Sequence, residues 1–150
     1  MAEPRVFEGS FETRLSRPAE EVYAFLVDLP QTPRWRFHLG SVSWIDDGET
    51  CVGRRFSVQL SFGPWRKMAL QGEVTVYEPP MRFSYRITDG PLKAENEYVV
   101  TPDGAGGAFF TMTGRAGMPG ILMRVASPLI TRAYGRTTRR ELRRLSEILA

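Results

Sequence analysis

The chain has 150 residues, a length at which one core buries roughly 70% of the unfolded surface, so a single domain spanning residues 1–150 is expected. With 42% hydrophobic and 25% charged residues the composition excludes disordered and fibrous classes. Cys51 is the only cysteine and His38 the only histidine, which excludes an intrachain disulfide, a CxxC pair, a cysteine zinc site and a histidine-rich metal site. No metal or cofactor is therefore expected.

The stretch from Met1 to Gly9 carries Glu3, Arg5 and Glu8 and no apolar run like a signal peptide, and nowhere do about 18 apolar residues follow one another. Together with the lone cysteine this predicts a cytoplasmic protein without a transmembrane segment. The net charge is +3 but unevenly spread: from Arg115 onward eight arginines face only Glu141 and Glu147, giving +6 and leaving −3 for the rest.

In chain order, Phe7, Phe11, Thr13 and Leu15 alternate with Glu8, Glu12 and Arg14, the pattern of a half-buried strand. Ser16 reads as an N-cap, with Pro18 in the first turn and Glu20 and Glu21 at the positive end of the helix dipole. Val22, Phe25, Leu26 and Leu29 continue that helix until Pro30 and Pro33, and a second helical turn is expected around 32–37.

Six alternating runs follow, at Ser41–Asp46, Gly53–Phe62, Arg66–Tyr77, Arg82–Thr88, Lys93–Thr101 and Gly107–Arg115. Each is bounded by turn residues such as Asp47-Gly48, Pro79-Pro80 and Pro102-Asp103-Gly104. The last segment carries an apolar stripe through Leu122, Val125, Ala126, Leu129, Ala133 and Thr137 to Leu142, Leu145 and Leu149, with Pro128 expected to kink or divide this helix.

One strand, two short helices, six strands and a long helix make an α+β order: a seven-stranded curved antiparallel sheet wrapped around the terminal helix, with a cavity between them. Strand parity turns Phe56, Val58, Leu60, Phe62, Met68, Leu70, Val74 and Val76 inward, and likewise Phe83, Tyr85, Ile87, Ala94, Asn96, Tyr98, Val100, Phe110 and Met112.

This order, with Arg17-Pro18-Ala19-Glu20-Glu21-Val22-Tyr23, Pro33-Arg34-Trp35, Gly53-Arg54-Arg55-Phe56, Tyr77-Glu78-Pro79-Pro80-Met81-Arg82-Phe83 and Thr101-Pro102-Asp103-Gly104, resembles the START-like helix-grip (SRPBCC) superfamily in its polyketide cyclase/dehydrase-type branch. The likeness covers nearly the whole chain. It implies a sheet gripping the terminal helix and a hydrophobic cavity used across the superfamily for lipids, sterols, polyketides and plant metabolites, and it does not imply one reaction.

The first expectation is thus a binder of a small, mostly apolar molecule. Its cavity is expected to be lined by Phe56, Val58, Leu60, Met68, Leu70 and Phe83 with Tyr85, Asn96, Tyr98, Phe110 and Met112, plus Leu122 and Val125 from the helix. Tyr85, Asn96 and Tyr98 are polar groups that parity sends inward, where an unpaired hydroxyl or amide costs roughly 1–3 kcal/mol; neighbours, water or a ligand's polar end would supply partners. Trp35 is the lid candidate among Trp35, Trp44 and Trp65.

The alternative is a cyclase or dehydratase in which Tyr85, Tyr98 or Arg34 moves protons, although no activated nucleophile or inward carboxylate pair is visible. His38 reads first as a loop or surface residue and second as a ligand contact or acid/base. Cys51, with no basic neighbour before Arg54, reads as a structural thiol.

A third expectation is an interaction module. Arg132, Arg136, Arg139, Arg140 and Arg143 cluster on one side of the last helix, as a solvated face or as a surface for an anionic membrane or acidic partner. Without interleaved aromatics no nucleic-acid partner is expected, and a monomer or homodimer is.

Overall fold

The computed structural model describes the backbone of residues 5–62, 66–90, 93–117 and 121–150, and the side chains within these ranges other than those of 5–7, 62, 66 and 121–131. The elements run β1 (Arg5–Leu15), α1 (Ala19–Val27), a 3-10 helix (Leu29–Arg34), β2 (Leu39–Trp44), β3 (Arg55–Phe62), β4 (Arg66–Glu78), β5 (Arg82–Ile87), β6 (Lys93–Pro102), β7 (Ala108–Gly117) and α2 (Ile121–Ile148).

The seven strands form one antiparallel sheet in the order β1-β7-β6-β5-β4-β3-β2. Strands β2 to β7 are a meander in which sequence neighbours pair, and β1 closes against β7 with Leu15 opposite Ala108 and Phe11 opposite Met112. This is the expected α+β helix-grip arrangement.

Helix α1 starts later than Ser16 suggested. Pro18 occupies the N-cap position, with no side-chain cap, and its carbonyl accepts the first N–H bonds from Glu21 and Val22, both at 3.0 Å. A proline there loses nothing, because its missing N–H has no intrahelical partner in any case. Val22, Tyr23 and Leu26 are buried, and the Tyr23 hydroxyl donates to the Arg82 carbonyl at 2.8 Å, which fixes α1 to the start of β5.

The second helical turn covers Leu29–Arg34 rather than 32–37, with Pro30 at its start, where a fixed φ is already helical. Helix α2 runs unbroken over 28 residues through Pro128, so the expected division at that proline does not occur.

Inner-face parity holds along β3, β5, β6 and β7. It fails in one place: the register shifts between Val74 and Val76, a β-bulge after which Tyr77, not Val76, packs against the core. One extra residue in a strand reverses the faces of all that follow.

The core joins Leu15, Val22, Leu26, Leu29 and Trp35 to Phe83, Tyr98, Phe110 and Met112, and to Leu142 and Leu145 of α2. Burial of each such side chain contributes about 1.5–3 kcal/mol relative to exposure.

Candidate functional site

The core does not fill the whole concave face of the sheet. Between the sheet, the segment from Leu29 to Leu39 and α2 lies a cavity of about 360 Å³, within the range of small-molecule sites. The strands contribute Leu39, Val42, Phe56, Val58, Leu60, Tyr85, Ile87, Ala94, Asn96, Gly114 and Ala116; the 3-10 helix and the turn after it contribute Leu29, Thr32, Arg36 and His38; α2 contributes Ala133, Tyr134 and Thr137. The lining includes half-buried His38, Leu39 and Ser61, exposed Ala133 of α2, and exposed Glu95 and Arg115 of β6 and β7, so it meets the surface beside α2 as well as at the β6–β7 side.

Glycine has a specific use in this wall. A Cβ at Gly114 would overlap the Tyr134 hydroxyl, so only a bare backbone lets the phenol of α2 lie across β7. The same ring meets Phe11 of β1 edge-on, centroids 6.0 Å apart, and thereby ties the helix to the first strand.

Several polar groups at the lining meet around Glu141. Arg36 is only 2% exposed. Its Nε donates to Glu141 Oε2 at 3.0 Å, its Nη1 reaches the Met112 sulfur at 3.3 Å and its Nη2 stands 3.4 Å from His38 Nε2. The Phe37 backbone N–H donates to the same Glu141 oxygen at 3.0 Å, and His38 Nδ1 lies 3.5 Å from it. Glu141 is itself fully buried, so one carboxylate oxygen collects a guanidinium, a backbone amide and an imidazole.

Two buried ions carry a desolvation cost that only good pairing offsets. Burial acts to raise the Glu141 carboxyl, yet the hydrogen bond from His38, the Arg36 charge and the Phe37 amide outweigh it and hold the carboxyl below the usual range. Burial likewise acts to lower Arg36, and the Glu141 charge overrides it. The pair is therefore ionised and neutral in sum. With two of its contacts long or to sulfur, the guanidinium keeps N–H capacity for an oxygen placed in the cavity.

Beside this group the hydroxyls of Tyr85 and Tyr98 are 3.3 Å apart. Burial, followed by the proximity of Tyr85, pushes the Tyr98 phenol well above its ordinary value, so it stays a neutral hydroxyl. The Oδ1 of Asn96 is buried with no hydrogen-bond partner among the described residues. Arg36, His38, Tyr85 and Asn96 thus offer directional groups to a mostly apolar space whose lining also includes Thr32, Ser61, Glu95, Arg115 and Thr137.

The sequence-derived set is divided by the structure. Phe56, Val58, Leu60, Tyr85 and Asn96 line the cavity. Leu70, Phe83, Tyr98, Phe110 and Met112 are buried in the packed core next to it, and Met68 packs against that core. Leu122 and Val125 have side chains outside the described residues, as do Phe62 and Trp65. Trp35, expected as a lid, is 1% exposed and lies against Tyr98 and Phe110 at 6.1 and 6.2 Å between centroids, a core position.

Arg34 is exposed, bonds Gln31 and lies over Phe25, outside the lining. Cys51 is exposed in the loop between β2 and β3, so it has no part in the core. His38, read first as a loop residue, lines the cavity. Sequence reasoning misses Arg36 and Glu141. The available signal is positional: Glu141 shares the helix face of buried Thr138 and Leu145, at spacings of three and four. No group of three His, Cys, Asp or Glu stands close enough to hold a metal among the described residues.

A family model described as "Polyketide cyclase / dehydrase and lipid transport" matches residues 8–150. No curated protein matches the chain. Among solved structures it is similar to TTHA0849 from Thermus thermophilus, with 17% identity over 94% of this chain and 95% of that one and a TM-score of 0.77. It is also similar to a START superfamily protein from Mycobacterium smegmatis, with 12% identity, 95% and 96% coverage and a TM-score of 0.75. The di-domain ARO/CYC BexL of the BE-7585A biosynthetic pathway matches with 18% identity over 94% of this chain and 45% of its own length, at a TM-score of 0.69. These likenesses show a START-like fold.

Proposed function

The chain belongs to the polyketide cyclase / dehydrase and lipid transport family, and from that premise we propose that its cavity binds a small, mostly apolar molecule carrying one oxygen-bearing polar end. The observation that carries this reading is the lining itself: apolar side chains from β2, β3 and β5 surround the space, and Arg36, His38, Tyr85 and Asn96 converge on it. Arg36, already neutralised by Glu141, suits a carbonyl or hydroxyl oxygen as hydrogen-bond acceptor better than a full anion, whose charge would have to compete with the carboxylate. The ligand is lipid- or polyketide-like, and the exposed thiol of Cys51 fits a reducing, cytoplasmic setting.

Fluorescence titration with an apolar probe, followed by displacement with alkyl ketones and alcohols of graded length, tests this. Saturable uptake with displacement that peaks at one length is expected; no uptake at any length sinks the reading.

A second reading is a cyclase or dehydratase working in the same space, favoured by the meeting of Tyr85, Arg36 and His38 at the lining. A cavity of this kind can hold a reactive chain in a folded geometry, and these groups are suited to proton movement. It requires turnover of a polyketide-like substrate that Tyr85→Phe abolishes while binding survives.

A further inference from the structure

Helix α2 carries an arginine face for which the cavity has no use. Arg132, Arg136, Arg139 and Arg143 are exposed, and their guanidinium groups form no ion pair with a described carboxylate. Arg140, also exposed, lies over the Phe37 ring with its Cζ 5.7 Å from the centroid. Phe37 is 50% exposed, among the most exposed large apolar side chains described.

The position of this face relative to the cavity is the informative part. Arg136 and Arg140 follow the lining residues Ala133 and Thr137 by three positions each, and residues so spaced are neighbours on a helix surface. Phe37 directly precedes the lining residue His38 and is anchored through its N–H to Glu141. Cations and a half-exposed ring therefore border the part of the cavity lining that reaches the surface beside α2, at exposed Ala133 and half-buried His38.

We propose that this rim is a docking surface for an anionic lipid bilayer, with Arg132, Arg136, Arg139, Arg140 and Arg143 against the headgroups and Phe37 in the acyl boundary. Unpaired positive charge next to an exposed apolar ring matches the two layers of such an interface. A nucleic acid would use the charge alone, since Phe37 is the single exposed ring beside it among the described residues. Docking there places this side of the cavity on the membrane, so that an apolar molecule moves between bilayer and cavity without crossing water. The inference rests on the apolar-ligand reading for what is delivered, whereas its test reads docking itself.

The test is co-sedimentation with vesicles of phosphatidylcholine alone or mixed equally with phosphatidylglycerol, at low and high salt. The expected result is binding to the anionic vesicles only, weakened by salt. At about a fivefold affinity contribution per basic side chain near such a surface, Arg136→Gln with Arg140→Gln lowers it about thirtyfold, and Phe37→Ser lowers it further without changing the salt slope. Probe uptake in vesicle-free buffer stays unchanged in the arginine variant, which separates docking from the cavity. Absent or salt-insensitive vesicle binding, binding that ignores the arginine variant, or binding of a single-stranded oligonucleotide in place of vesicles overturns the proposal. Vesicle binding without probe uptake leaves docking standing and removes the ligand reading instead.

Discussion

Arg36 and Glu141 are 105 positions apart in sequence, and their side chains meet at 3.0 Å in the interior, joining the turn before β2 to the last third of α2. Because both ions are buried, the pair works as a latch between the two walls of the cavity. Removal of one partner leaves an uncompensated charge, which costs about 3–5 kcal/mol, whereas removal of both costs much less. Urea denaturation of Arg36→Met, Glu141→Leu and the double variant is expected to show either single change as more destabilising than the pair together. Additive losses would mean that the two groups do not stabilise each other.

The same latch sets an acid limit. Glu141 titrates below its ordinary range when folded, so the unfolded chain takes up the proton first as pH falls. Its contribution is fully present above the ordinary glutamate value of about 4.3 and is lost as pH falls through the lower, folded value. Melting temperature followed from neutral pH downward should drop less steeply in Glu141→Gln than in the unsubstituted protein, although the variant starts lower. Parallel curves would place the acid transition on other carboxylates.

Tyr85 and Tyr98 share a hydroxyl contact of 3.3 Å, but only Tyr85 lines the cavity. Tyr85→Phe should weaken a ligand with an oxygen end about tenfold, the worth of one hydrogen bond, while affinity for a pure hydrocarbon stays the same. Tyr98→Phe should alter stability more than affinity. Calorimetric titration with an alkyl ketone and the matching alkane separates the two.

Gly114 allows the Tyr134 ring to lie on β7, and a methyl group there meets the Tyr134 hydroxyl and approaches the Asn96 Oδ1 at 3.4 Å. Gly114→Ala is expected to lose about 1–3 kcal/mol through overpacking, with lower probe affinity as the phenol is displaced. Gly48, in a turn with nothing near its missing Cβ, is the contrast: its φ of +99° makes Gly48→Ala strained without touching the cavity.

Strand parity and turn residues were enough to place the sheet, because a period of two leaves each inward residue identifiable from its neighbours: Phe56, Val58, Leu60, Tyr85 and Asn96 all lie where alternation puts them. The bulge at Val74 to Val76 carries no such mark, and it exchanged Val76 for Tyr77 at the core. Parity gives the inner face but not the depth along it, so Phe83, Phe110 and Met112 fell into the packed part and Ile87 and Ala94 into the open part.

The polar cluster was the least legible. Arg36 stands in a turn between Trp35 and Phe37 and close to Arg34 and His38, and Glu141 lies among Arg139, Arg140, Arg143 and Arg144, where a lone acid reads as a surface counter-charge. Only the three-dimensional meeting of the two turns them into a site.

The most direct measurement is native mass spectrometry of the protein purified from its own host, followed by denaturing analysis of whatever is released. The account predicts one retained apolar molecule bearing an oxygen-containing end, lost from a variant such as Ala94→Phe that fills the cavity. A folded protein that carries nothing and takes up no apolar probe would contradict it.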